Sequence, residues 1–310
     1  GEMIAAIAGG VGAAKLLQGL LRLTREEELT IICNTGDDLE LYGLHISPDL
    51  DIIMYTLAGV VDEGRGWGIR GDTFNFLEAL GKYGYETWFN LGDRDLATHV
   101  HRTLLLRSGY TLSQATEALC RSLGLRVRLI PMTDQRVETY VSTDRGDLHF
   151  QEYFVKRGAR DKVLDVTFRG AEGAEPSPGV IEAIREADGV IVCPSNPIVS
   201  IGPILCVKPI RVALTETEAK VVGVSPIVGG RAIKGPADKL MSGLGLEVSA
   251  YGVAKLYEDF LDDFIIDRVD EELKDEIESL GVRVTVTNTI MEGIEDKVHL
   301  AKIALELIEA

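Results

Sequence analysis

Gly9-Gly10-Val11-Gly12-Ala13-Ala14-Lys15 offers a place for an anion. Glycine lets backbone N–H groups approach a phosphate, a following helix adds partial positive charge, and Lys15 adds a full one. The pattern lacks the Gly-Lys-Ser/Thr of a Walker loop. Position 15 also holds lysine where a dinucleotide fingerprint has glycine or alanine. Taken alone, these residues serve equally well as a tight strand-to-helix turn.

A second group is acidic: Asp37 and Asp38, then Asp49 and Asp51. The first pair follows a strand and the second opens a helix, and both places lie at the carboxyl edge of a parallel sheet, where ligands bind. Carboxylates there suit Mg²⁺, which takes one or two protein carboxylates plus phosphate oxygens and water. The plainer alternatives are turn residues for Asp37 and Asp38 and helix-dipole partners for Asp49 and Asp51.

Pro194-Ser195-Asn196-Pro197 ends another strand, where Ser195 and Asn196 would hold a phosphate or a ribose hydroxyl, or simply shape a loop. Ser225 to Gly230 and Gly235-Pro236 repeat the theme, and such clustering at strand ends is less often accidental than one loop. His99 and His101 are two apart and face different sides of a helix, which argues against a shared metal. Asp95 and His99 are four apart and suit a structural pair. His45, His149 and His299 stand alone in the sequence and receive no catalytic role. Trp67 and Phe74, near Thr73, suit either stacking on a planar ligand or core packing.

These residues need a scaffold, and the apolar pattern supplies one. Met3–Ala8, Leu29–Cys33, Gly189–Cys193, Lys220–Val224, Phe264–Asp267 and Val282–Val286 read as buried strands. Between the first two, Ala13, Leu16, Leu17, Leu20 and Leu21 recur at helical spacing. Ser47 and Pro48 mark a helix start over Leu50–Val60. Further helices are expected over 72–82, 94–107 and 235–241. Another follows Thr111 and Gln114, a capping-box pair, and a last one carries Ile294, Val298, Ala301, Leu305 and Ile308 on one face. Val127–Leu129, Val137–Val141 and Leu148–Phe150 read as antiparallel strands. The expectation is an α/β fold: a Rossmann-like parallel sheet flanked by helices, one large unit with its core at 1–62 and 178–310. A β-rich and helical insert falls at about 63–177.

The chain has 310 residues, is 45% hydrophobic and carries a net charge of −17. It has enough apolar material for a core, so a disordered acidic protein is excluded. The acid excess argues against a nucleic-acid partner. Sixteen acids and six bases lie from Lys255 onward, a region that reads as a solvated face. Cys33, Cys120, Cys193 and Cys206 form no Cys-x-x-Cys pair and are expected to be buried free thiols. The longest apolar stretch, Ile52–Val61, is about half a bilayer span. No basic segment followed by an apolar run marks a signal peptide, so a cytoplasmic protein without a membrane partner is expected.

Together the motifs resemble one family. Gly9-Gly10-x-Gly12 with Lys15-Leu16-Leu17, Asn34-Thr35-x-x-Asp38 and Ser47-Pro48-Asp49-Leu50-Asp51 are similar to the 2-phospho-L-lactate transferases. The likeness runs on through Trp67-Gly68-Ile69, Asp72-Thr73-Phe74, Leu91-Gly92-Asp93-Arg94-Asp95 and Ala97-Thr98-His99. Ser195-Asn196-Pro197-Ile198, Ser200 to Ile204, Val224 to Ile227 and Gly235 to Met241 complete it. The resemblance implies transfer of a phospholactyl group from lactyl-diphospho-guanosine to the ribityl hydroxyl of the deazaflavin precursor FO. The products would be coenzyme F-420 without glutamates, and GMP. It further implies Mg²⁺ and a homodimer. Asp38 and Asp51 would be catalytic and hold metal, with Asp49 joining them. Gly9, Gly10, Gly12, Lys15, Ser195 and Asn196 would bind the guanosine phosphates, and Trp67, Thr73 and Asp93 would face the acceptor. The competing reading is a non-catalytic nucleotide-sugar-binding regulator, but such proteins follow the Asp pair with Gly-Gly-Ser-Ser. Here Leu39-Glu40-Leu41-Tyr42 follows. An ordinary NAD or SAM enzyme lacks support, since Cys33-Asn34 stands where an acidic residue would close the second strand.

Overall fold

The computed structural model describes residues 2–310, so Gly1 of the expected core lies outside them. The apolar runs become parallel strands because each must be covered on both faces. In chain order the strands are β1 (Ile4–Ala8), β2 (Leu29–Cys33), β3 (Leu39–Leu41), β4 (Leu44–Ile46), β5 (Arg128–Pro131), β6 (Glu138–Thr143) and β7 (Gly146–His149). They continue with β8 (Val163–Arg169), β9 (Gly189–Val192), β10 (Lys220–Val224), β11 (Ile227–Val228), β12 (Arg231–Ala232), β13 (Asp263–Asp267) and β14 (Arg283–Thr287). The helices are α1 (Gly10–Leu20), α2 (Pro48–Leu57), α3 (Asn75–Lys82), α4 (Asp93–Arg107), α5 (Leu112–Ser122) and α6 (Val180–Glu186). After them come α7 (Ile201–Cys206), α8 (Lys208–Glu216), α9 (Ala237–Gly243), α10 (Ala250–Tyr257), α11 (Lys274–Glu278) and α12 (Ile294–Glu309).

Seven strands form one parallel sheet in the order β14-β13-β10-β9-β1-β2-β5. The chain runs outward from β1 through β2 to β5, then returns to lay β9 on the other side of β1. The direction of winding therefore reverses between β1 and β9, and such a reversal opens a crevice at the carboxyl ends of the strands. Side chains alternate across the sheet into two cores. Ala5, Ile7, Ile32, Val190 and Val192 enter one, while Ile4, Ala6, Ala8, Ile31 and Cys33 enter the other. α1, α2 and α12 cover the second core. Gly19 of α1 touches the Lys297 backbone of α12, so any side chain there would push the two helices apart.

Several expectations change in detail. Val127–Leu129 was expected to be antiparallel, but β5 pairs parallel with β2 as the sheet's edge strand. Its one exposed residue, Arg128 between buried Val127 and Leu129, imitates the alternation of an antiparallel strand. The remaining insert strands do form a separate antiparallel sheet, β7-β6-β8. The helix expected to run to Val60 ends at Leu57, and the one expected from 72 begins at Asn75. The Thr111–Gln114 capping box forms as expected. Cys33, Cys120 and Cys193 are buried free thiols, whereas Cys206 is exposed. No helix is long and apolar enough to cross a membrane among the described residues.

Candidate active site

The glycine turn sits at the crevice between β1 and β9. The Gly9 N–H approaches the Ser195 hydroxyl at 3.4 Å, tying the ends of the two strands together. A Cβ on Gly9 would stand 2.7 Å from Asp49 Oδ2 and 3.0 Å from Ser200 Cβ, and one on Gly12 would strike the Pro194 carbonyl. Both positions therefore demand glycine for close approach of backbone to loop. Asn196 is spent mainly on its own loop, since its side-chain oxygen accepts from the N–H groups of Ile198 and Val199.

Lys15 lies one turn into α1 and donates to the Met291 carbonyl at 3.4 Å. Burial lowers its pKa first, and the neighbouring ammonium groups of Lys234 and Lys297 lower it further, with Glu63 pulling the other way. Lys234 reaches in from the segment after β12, and its ammonium lies against Gly66. This crowding of cations beside a glycine turn is relieved by an anion.

Asp37, Asp38 and Asp49 gather on the other side of the turn, at the end of β2 and the start of α2. Asn34 donates to Asp49 Oδ2 at 3.0 Å and to the Val199 carbonyl at 3.1 Å, and lies 3.4 Å from Asp37 Oδ1. Gln151 reaches Asp37 from beyond β7. Burial raises Asp49 to about 7, with hydrogen bonds from Asn34 opposing and the Asp38 charge adding. Burial and then the Asp49 charge push Asp37 well above the ordinary range. Asp38 Oδ1 is buried with no hydrogen-bond partner. Buried acids that repel one another, with one oxygen left bare, fit a divalent cation that needs two protein carboxylates and completes its shell from phosphate and water.

Asp51 is placed apart from this group. Asp49 and Asp51 are two residues apart on α2, and α2 turns them to different sides. Asp51 Oδ1 accepts from the fully buried Arg102 of α4, and its Oδ2 lies 3.5 Å from His99 Nδ1. His99 Nε2 is 3.2 Å from Asp95 Oδ2, the pairing that the spacing predicted, and the Tyr55 hydroxyl donates to Asp95 Oδ1 at 2.6 Å. Asp51, Asp95 and His99 bring ligand atoms within 4.8 Å of one another. A guanidinium already holds the charge balance there, however. Burial opposes charge on Arg102, but Asp51 outweighs it and keeps the guanidinium protonated. The group braces α2 to α4 through Arg102, and Asp51 stands in this cluster rather than beside Asp37, Asp38 and Asp49.

Thr73 and Asp93 also have local tasks. Asp93 accepts from the Thr73 hydroxyl at 2.6 Å and from the N–H groups of Asn75 and Phe76 at the start of α3. Those bonds hold its carboxyl below the usual range. Asp72 returns the favour at α4, accepting from the N–H groups of Arg94 and Asp95 at 2.9 and 3.1 Å. The two aspartates cap each other's helices. Trp67 is 38% exposed, which excludes the core-packing alternative. The Arg65 guanidinium lies 5.3 Å from its ring and 5.0 Å from that of Phe74, an arrangement of cation–π pairs at the mouth of the loop.

Two histidines left aside in the sequence belong to the site. His45 Nε2 lies 2.9 Å from Asp38 Oδ2, and His149 Nε2 lies 3.1 Å from the Asp38 carbonyl. Ser47, expected to cap α2, makes no cap hydrogen bond and instead gives its hydroxyl to Asp38 Oδ2 at 2.7 Å.

Residues 4–301 match the family model described as 2-phospho-L-lactate transferase CofD. A protein named phosphoenolpyruvate transferase from Streptomyces griseus is 45% identical over 312 residues, covering 99% of this chain and 98% of that one. One named 2-phospho-L-lactate transferase from Methanothermobacter thermautotrophicus is 44% identical over 304 residues, covering 98% and 97%. A crystal structure of a UPF0052-family protein from Bacillus halodurans superposes with a TM-score of 0.65 at 15% identity, covering 98% of each chain. That last likeness concerns the fold alone.

Proposed function

The chain belongs to the 2-phospho-L-lactate transferase family of coenzyme F-420 biosynthesis and is a transferase, and from that footing we propose its reaction. The donor is lactyl-diphospho-guanosine, the acceptor is FO, and the products are F-420 without glutamates, and GMP. The observation that carries the reading is the meeting of the Gly9 turn and Ser195 at the β1–β9 reversal, with buried acids beside it and lysines over it.

The ribityl hydroxyl oxygen of FO forms a bond to the phosphorus that carries lactate, the anhydride bond breaks with its electron pair leaving on GMP, and the hydroxyl proton is released to solvent. Catalysis here is chiefly positioning and charge neutralisation. Backbone N–H groups of the turn and Lys15 would hold the diphosphate. Asp38 and Asp49, with Asp37 supporting them, would hold Mg²⁺, which stabilises negative charge on phosphate oxygens. The exposed Trp67 ring is the best placed of the expected acceptor residues for a planar deazaflavin. A homodimer is carried over to this reading from the family, and a cytoplasmic setting from the sequence.

Incubation of the purified protein with Mg²⁺, FO and lactyl-diphospho-guanosine, followed by chromatography, should yield the F-420 product and GMP in equal amounts. No product from authentic substrates would overturn the lactyl donor. A phosphoenolpyruvyl donor is a second reading, favoured by the 45% identity to a protein of that name. Competing the two donors in one reaction decides between them.

A further inference from the structure

Asp38 is oriented from outside the carboxylate cluster. Its Oδ2 accepts twice, from the Ser47 hydroxyl at 2.7 Å and from His45 Nε2 at 2.9 Å. A carboxylate has no proton to give, so Nε2 carries the hydrogen in this pair. Two donors on one oxygen stop rotation of the carboxylate, and the other oxygen, Oδ1, is left buried and bare. His45 is in turn fixed through its backbone. Its N–H donates to Thr103 Oγ1 at 2.9 Å, and its carbonyl accepts from Arg102 at 3.2 Å. Arg102 is the fully buried cation held by Asp51. The connection runs from α4 to the β3–β4 hairpin and on to the bare oxygen.

We propose that His45 is a positioning residue for the reaction. It locks Asp38 with Oδ1 presented to the divalent cation, and the Arg102–Asp51 pair holds His45 in register. This gives Asp51 a part in the site without contact to metal or substrate. Partners of this kind, one bond beyond a metal ligand, typically change metal affinity by about ten- to a hundredfold when removed. The inference rests on the reading that Asp38 faces the cation.

The test is a titration of Mn²⁺ followed by electron paramagnetic resonance, with GDP present, on the wild type, His45→Ala and His45→Gln. The His45 side chain is about one-third exposed, at 35%, so the fold should tolerate both changes, which thermal melting checks. Gln can place an N–H near the old Nε2 position, whereas Ala cannot. We expect His45→Ala to weaken Mn²⁺ binding by at least about tenfold and lower kcat, with KM for FO within about twofold. His45→Gln should recover most of both losses. Wild-type Mn²⁺ affinity in His45→Ala overturns the proposal, as does equal failure of the Ala and Gln variants, which would assign the loss to hairpin packing. If the wild type itself binds no Mn²⁺, the reading of the acidic cluster falls, and this inference falls with it.

Discussion

Asp49 and Asp51 stand two residues apart on one helix and enter opposite kinds of buried polar environment. Asp51 joins Arg102, His99, Asp95 and Tyr55 in a network that carries its own cation. Asp49 joins Asp37 and Asp38, with amides from Asn34 and Gln151 but no buried guanidinium. A buried charge without a counter-charge is costly, and the group shifts its pKa or waits for a partner. The difference lies in the counter-charge: the Arg102 guanidinium offsets part of the acid around Asp51, and no buried guanidinium does so around Asp49.

Exchange of one acid from each region is the strongest way to break that contrast. Asp38→Asn should lower kcat by more than about a hundredfold, as expected for a ligand if its positioning partners alone matter tenfold or more. Its melting temperature should stay near that of the wild type. Asp51→Asn should act first on the fold, destabilising it by about 3–5 kcal/mol because it strands the Arg102 charge in the interior, with a smaller loss of kcat passed on through His45. Urea melts and turnover on both variants check this. A stable, inactive Asp51→Asn protein would erase the distinction between the two regions.

The open cluster should also show itself in stability against pH. Asp49 titrates at about 7 in the folded protein, mainly because burial disfavours its charge, against an ordinary value of 3.8. Folding therefore favours the protonated form. The stabilisation is complete below the ordinary aspartate range and is lost as pH rises toward about 7. Metal-free wild type, melted in a chelator, should lose stability across that interval more steeply than Asp49→Asn. Parallel pH profiles for the two proteins would show that Asp49 is not stranded.

Much of this was legible in the sequence, for stated reasons. Parallel strands buried on both faces read as apolar runs, so six of the sheet's seven strands and the glycine turn are visible directly. Edge strand β5 is not, because its exposed first residue imitates alternation. The site was legible only where its residues adjoin strand ends. His149 meets Asp38 across 111 residues, and Arg102 is a charged residue in mid-helix whose burial no local pattern announces. Asp51 is different, because the information was present. The rule that residues two apart on a helix face apart, which separates His99 from His101, applies equally to Asp49 and Asp51. Ser47 shows the converse, a sound capping signal whose hydroxyl is drawn to a nearby carboxylate that the sequence does not place.

The smallest expected effect tests whether the open side is completed by an anion as well as by a metal. Lys234 is exposed and lies over Gly66, and its charge reaches Lys15. A donor diphosphate would relieve the crowding of these lysines, and a cation bound with it would relieve that of the acids. Exposed ion pairs contribute up to about 1 kcal/mol, or about fivefold in affinity, and salt screens them. Lys234→Ala should therefore weaken GDP binding by about fivefold at low ionic strength, measured by calorimetry, with the gap closing as salt is added. It should leave the melting temperature unchanged, because the side chain supports no packing. A salt-independent loss would point to a structural effect on the Gly66 loop, and unchanged affinity would leave Lys15 and the backbone amides as the whole of the anion side.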